Sequence, residues 1–118
     1  MDTIEADTDH VTLARLHIAQ AGLGNRVTVH HGRFEDVIRN LDSGYDMIFF
    51  DGFAPDHSLT RGMHDRLVTG GLLVCANLQL ADAADARALE NDLNEPRRWR
   101  REEPIEDGAT QVRIKSEL

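Results

Sequence analysis

The sequence predicts an α/β fold: a mostly parallel sheet with helices on both faces and an antiparallel hairpin at the C-terminal end. Two observations carry this. Short, continuously apolar runs alternate with segments of helical periodicity as far as residue 93, the pattern of strands buried on both faces between helices. Beyond residue 96 the pattern changes to apolar/polar alternation around a turn, that of an edge hairpin. At 118 residues the chain has the length of one domain, so a single domain, 1–118, is expected.

Taken in order, residues 3–6 read as a short strand carrying Glu5 and running into Asp7. Asp7 or Thr8 can cap a helix with Val11, Ala14, Ile18 and Ala21 on its apolar face, stopped by Gly22. Residues 27–31 form the second strand, closed by Gly32, and Phe34, Val37, Ile38 and Leu41 mark a short helix. Asp42-Ser43-Gly44 is a turn, and residues 45–50 are expected to be the most buried strand. Leu59, Met63 and Leu67 mark a helix ended by Gly70-Gly71, followed by an apolar strand at 72–76. Residues 82–93 form an Ala/Leu-rich helix stopped near Pro96. Trp99 then packs a terminal hairpin that turns at Asp107-Gly108, with Val112 and Ile114 on its apolar side.

The formal charge is −8, from 13 Lys+Arg against 21 Asp+Glu, so the chain repels phosphate backbones and no nucleic-acid partner is expected. The Arg97, Arg98, Arg100, Arg101 cluster meets Glu102 and Glu103 at once and reads as a charge-guarded edge strand. No stretch is long or apolar enough to span a bilayer, so no membrane partner is expected either. One cysteine excludes an internal disulfide and fits a reducing cytoplasm. Cys75 lies inside a strand and reads as a small buried hydrophobe.

In parallel sheets ligands sit beyond the strand C-termini. The parallel strands of this chain end on Glu5, Gly32, Asp51 and Asn77, which marks that end as the candidate site. Four blocks, TIEADTDHVTLAR, AGLGNRVTVHHG, YDMIFFDG and GGLLVCANL, together resemble the class I S-adenosylmethionine-dependent methyltransferases, and within them the catechol-type O-methyltransferases. The resemblance implies a Rossmann-like sheet ending in an antiparallel hairpin, and a methyl transfer to a small hydroxylated acceptor. It implies that Glu5 holds the ribose hydroxyls of the cofactor, that Gly32, Arg33 and Phe34 surround the adenine, and that Asp51 lies at the methyl-transfer end. His57, in the loop beyond Asp51, is a second catalytic candidate, since an imidazole there can take a proton from an acceptor hydroxyl near neutral pH.

The chain also departs from that family. Ala54 stands where a lysine base follows the aspartate, and Ala76 replaces the aspartate before Asn77. Asp51 and Asn77 alone make a poor cage for a hard cation, so no divalent metal is expected. The first strand and glycine-rich loop of the family have no counterpart before Thr3. Weak or absent cofactor binding by the isolated chain is therefore expected. The strand edges left open should be covered by self-association or, failing that, by direct pairing of the strands that end at Glu5 and Asp51 in a rearranged sheet. Two further readings follow: a non-catalytic Rossmann-like interaction module, and, from the DGFAP block, a tRNA-modifying amine methyltransferase. The six histidines lack metal-ligand spacing and read as solvated or edge residues.

Overall fold

A computed structural model of the protein describes residues 1–52, 57–76, 78 and 82–117. Chain contacts divide it into two compact units, Met1–Leu41 and Asp42–Leu118. The elements follow the predicted order, and the strands form two sheets, one in each unit.

In the first unit β1 (Asp2–Glu5) pairs in parallel with β2 (Thr28–His31), placing Glu5 opposite His31. Helix α1 (Thr8–Gln20) connects them, as a parallel crossover requires. Asp7 is its cap, accepting from the backbone N–H groups of Asp9 and His10 at 2.9 and 3.0 Å. The His10 bond is the main reason its carboxyl is held below the usual range. At the other end Gly22 adopts φ +72°, and the Leu23 N–H reaches back to the Ile18 carbonyl at 3.0 Å. Of the apolar positions on α1 Val11 is buried, whereas Leu13 and Leu16 stay 50% exposed. The short helix α2 (Phe34–Val37) runs on into a 3₁₀ turn at Ile38–Asn40.

The second unit holds a four-stranded sheet in the order β3-β4-β6-β5, from Tyr45–Phe50, Leu67–Cys75, Gln111–Lys115 and Trp99–Arg101. β3 and β4 are parallel, and β6 runs antiparallel to both β4 and β5, so the expected hairpin is present. Its turn places Glu106, Asp107 and Gly108 at positive φ. Helices α3 (His57–Arg66) and α4 (Ala83–Leu93) precede and follow β4.

Three sequence expectations need correction. β3 is not the most buried strand: Met47 and Phe49 share one of its faces and are 51% and 57% exposed. β3 lies at the edge of its sheet and pairs along one side only, whereas β4 has neighbours on both sides and buries Leu73, Val74 and Cys75. Second, Leu67 begins β4 rather than closing α3, and Gly70-Gly71 lie within the strand. The pairing jumps from Tyr45↔Leu67 to Met47↔Leu72, a bulge that takes up the extra β4 residues, with Gly70 at φ +80°. Third, the most buried residue of β6 is Arg113, at 2% exposed, and not Val112 or Ile114.

That burial has a partner set. Arg113 donates from Nε to the Leu93 carbonyl at 2.6 Å, and from its other nitrogens to the Val112 carbonyl and the Asn94 side-chain oxygen at 2.9 and 3.0 Å. The last turn of α4 has no basic residue of its own, so Arg113 supplies the cation its C-terminal carbonyls attract. Burial pulls the guanidinium pKa below its ordinary value. Two residues along the same face, Lys115 Nζ donates to the His64 and Leu67 carbonyls, both at 2.8 Å, closing the end of α3. Between the helices the buried Thr60 hydroxyl donates to Asp92 at 2.7 Å. Replacing Arg113 with Met should leave the Leu93 carbonyl and the Asn94 amide without this donor. The expected loss is about 1–3 kcal/mol for each group left unpaired, read as a lowered urea midpoint.

Candidate functional site

The first unit gathers four of the predicted cofactor residues at the C-terminal end of its sheet. Glu5 closes β1, and its carbonyl accepts from the Gly32 N–H at 3.0 Å, so the end of one strand is tied to the turn after the other. Its carboxylate is set by its own loop: Oε1 accepts from the Asp7 N–H at 2.9 Å, while Oε2 lies 3.9 Å from His10 Nδ1. An oriented, partly exposed carboxylate of this kind retains acceptor capacity for two hydroxyls of a diol. Arg33 precedes α2 and forms an ion pair with Glu35, and Phe34 is half-buried at the start of that helix. On the neighbouring strand His31 Nε2 lies 3.2 Å from the Ala6 carbonyl and 3.5 Å from the Thr8 hydroxyl, bracing the turn that carries Glu5. His30 Nε2 lies 2.7 Å from Asp2 Oδ1, a contact between β1 and β2.

Gly32 is needed for a reason internal to the fold: a Cβ there would come within 2.8 Å of Val37 Cγ2 on α2. Gly52 is similar, since a Cβ would meet the Phe50 ring at 2.7 Å. The break after the apolar β3 run thus lets Phe50 fold its ring back over the chain and become buried. Asp51, exposed, follows immediately at the C-terminal end of β3. His57 opens α3. Ala54 and Asn77 lie outside the described residues, as do the remaining residues between Asp51 and His57 other than Gly52.

Three residues behave differently from sequence expectation or give it sharper content. Cys75 is fully buried, and burial pushes its thiol up to about 12, so it is no nucleophile. His64 is not a solvated histidine: it packs edge-to-face on Trp99, with ring centroids 4.9 Å apart. Arg113 belongs to the packing of α4 described above. An open concavity of about 380 Å³ bordered by Arg101, Glu102, Glu103 and Pro104 lies on the hairpin and contains none of the predicted site residues. Among the described residues no group of three or more His, Cys, Asp or Glu is placed to hold a metal ion. No described helix is long and apolar enough to cross a membrane.

The fold is that of the class I methyltransferases. Over 98% of this chain it superposes on 61% of the O-methyltransferase TomG of Streptomyces achromogenes, solved in complex with SAM, with a TM-score of 0.80 at 20% identity. Residues 2–78 match the family model described as a methyltransferase domain, and the chain belongs to that family, as an O-methyltransferase-like member. A Mycolicibacterium vanbaalenii protein classed among the O-methyltransferases is 30% identical over 97% of this chain and 52% of its own length. The catechol O-methyltransferase of Sus scrofa is 37% identical over 68% of this chain and 44% of its own length. The chain thus spans about half the length of these relatives.

The Gly32–Val37 approach is directly testable. Gly32→Ala should force α2 away from the end of β2 and cost about 1–3 kcal/mol, the usual range for overpacking. Thermal denaturation should show a lowered midpoint whether or not ligand is present.

Proposed function

We propose that this chain forms part of an S-adenosylmethionine-dependent O-methyltransferase acting on a small hydroxylated acceptor. The observation that carries the reading is Glu5: a carboxylate at the C-terminal end of a parallel strand, oriented by the Asp7 N–H and tied through its backbone to Gly32. The donor set fits the cofactor, because an ionised carboxylate with spare lone pairs suits the vicinal hydroxyls of a ribose. Family membership and the SAM-bound relative of the same fold support it.

In this reading Glu5 binds the ribose, and Gly32, Arg33 and Phe34 border the adenine. When bound, the cofactor supplies an electrophilic sulfonium methyl. The task left to the protein is to align an acceptor oxygen with that methyl and to exclude water. Asp51 lies at the acceptor end. His57 receives the hydroxyl proton where the acceptor does not ionise unaided. Asp51 and Asn77 remain a sparse set for a divalent cation, and the proposal uses none. The single cysteine suits a cytoplasmic setting for the reaction.

The isolated chain should bind S-adenosylmethionine weakly or not at all; where binding is measurable, Glu5→Ala should weaken it by about 1.5–3 kcal/mol, the worth of hydrogen bonds to a charged acceptor. Isothermal calorimetry on parent and variant checks this, and equal affinities would remove Glu5 from the site.

The same reading includes self-association. β3 is an edge strand that exposes Met47 and Phe49 side by side, a surface that recruits a second chain unless covered. Light scattering should find an oligomer in the parent and a smaller species in the Met47→Lys, Phe49→Lys double variant. A monomeric parent at high micromolar concentration would end this part of the proposal.

A further inference from the structure

We propose that the second unit carries an acid-sensitive latch, in which adding a proton to His64 releases Trp99 and strand β5 from helix α3. The inference is independent of the methyltransferase reading and rests on where the His64 ring sits. Trp99 and Lys115 are cross-strand partners in the hairpin, and His64, in the last turn of α3, meets both. Its ring stands at 89° to the indole, and its backbone carbonyl accepts from the Lys115 ammonium at 2.8 Å. Trp99 is only 4% exposed, so this contact is part of what buries it.

The two ring nitrogens differ. Nδ1 lies 3.7 Å from the exposed Asp65 carboxylate, a charge contact longer than a hydrogen bond. Nε2 is buried and has no hydrogen-bond partner among the described residues. In the charged imidazolium both nitrogens carry a proton, so whichever held the first one, charging places a cationic N–H at buried Nε2 with no acceptor among the described residues. The charged groups facing the ring are Lys115 from β6, Arg98 from the segment before β5, and Asp65 on α3 itself. Both cations oppose a further positive charge. Asp65 favours it but is largely exposed, which screens its pull. Burial first, and Lys115 second, hold the imidazole pKa below its ordinary 6.5. The contact is therefore at full strength above about pH 6.5, the value in the released state, and is lost as pH falls through the depressed docked-state value. Between the two values the docked-to-released ratio drops by up to about tenfold per pH unit. β5 is the element free to leave, being a three-residue edge strand paired only with β6. A cation–π attraction to the indole would act in the opposite sense and raise the titration midpoint.

Trp99 is the only tryptophan in the chain, so its emission reports on this contact alone. Between pH 8 and pH 5 the emission of the parent should move to the red. The His64 ring protons, followed by NMR, should titrate below pH 6.5 and in step with that shift. His64→Phe keeps an aromatic ring but cannot titrate, and should hold its emission constant over the same range. If that variant does not fold, the parent decides by itself through the backbone amides of Trp99, Arg100 and Arg101, which should move with the His64 titration. A His64 midpoint at or above 6.5, or an indole that stays buried while His64 becomes charged, would overturn the proposal.

Discussion

Two cations on one face of β6 hold the second unit together. Arg113 and Lys115 stand two residues apart and meet the carbonyl ends of α4 and α3 respectively. A helix C-terminus presents unpaired carbonyls and the negative end of its dipole, and neither can be buried without a donor. By meeting both needs from a single strand, the chain lays two helices across the same face of its sheet. The β4 face beneath them carries Leu73 and Cys75, both fully buried, and Phe50 joins them from β3. The end of β3, immediately before Asp51, is therefore anchored on the same face of the sheet that carries the two cations. A reading of the site that stopped at Asp51 would miss what positions it.

Much of the fold was legible because its signals are local. Asp7 and Asp82 cap helices, Gly22 ends one, and Asp107-Gly108 turns the hairpin, each by chemistry within a few residues. The failures have a common cause in non-local partners. Nothing in QVRIK says that the arginine faces inward, since its acceptors, Leu93 and Asn94, lie some twenty residues earlier. Alternation located the two faces of β6 correctly but assigned the wrong one to the interior. Similarly, the unbroken apolar run of β3 shows that both faces suit burial, yet burial depends on what is packed against them. His64 looked like one histidine among six until its carbonyl and ring proved to meet a cross-strand pair in the hairpin.

The candidate site divides along the same line. Glycines at 32 and 52 invite a ligand reading, because glycine admits close approach to the backbone. The structure supplies a steric reason for each that involves no ligand: Val37 crowds one and the Phe50 ring the other. Their presence therefore carries little weight for cofactor binding. Glu5 is different. Its carboxylate has a local role in accepting from the Asp7 N–H, yet the side chain stays 38% exposed and that one bond leaves further lone pairs on both oxygens. That asymmetry is why the functional reading rests on Glu5, with the glycines as its surroundings.

The depth of Cys75 has a practical side. With its thiol pushed up to about 12 by burial, the group stays protonated at neutral pH, and the sulfur is sealed from solvent besides. An alkylating reagent can therefore modify the chain at this residue only while the second unit is open. Being the sole cysteine, it makes the native sequence its own stopwatch: the rate at which label accumulates reads how often β4 comes out of cover.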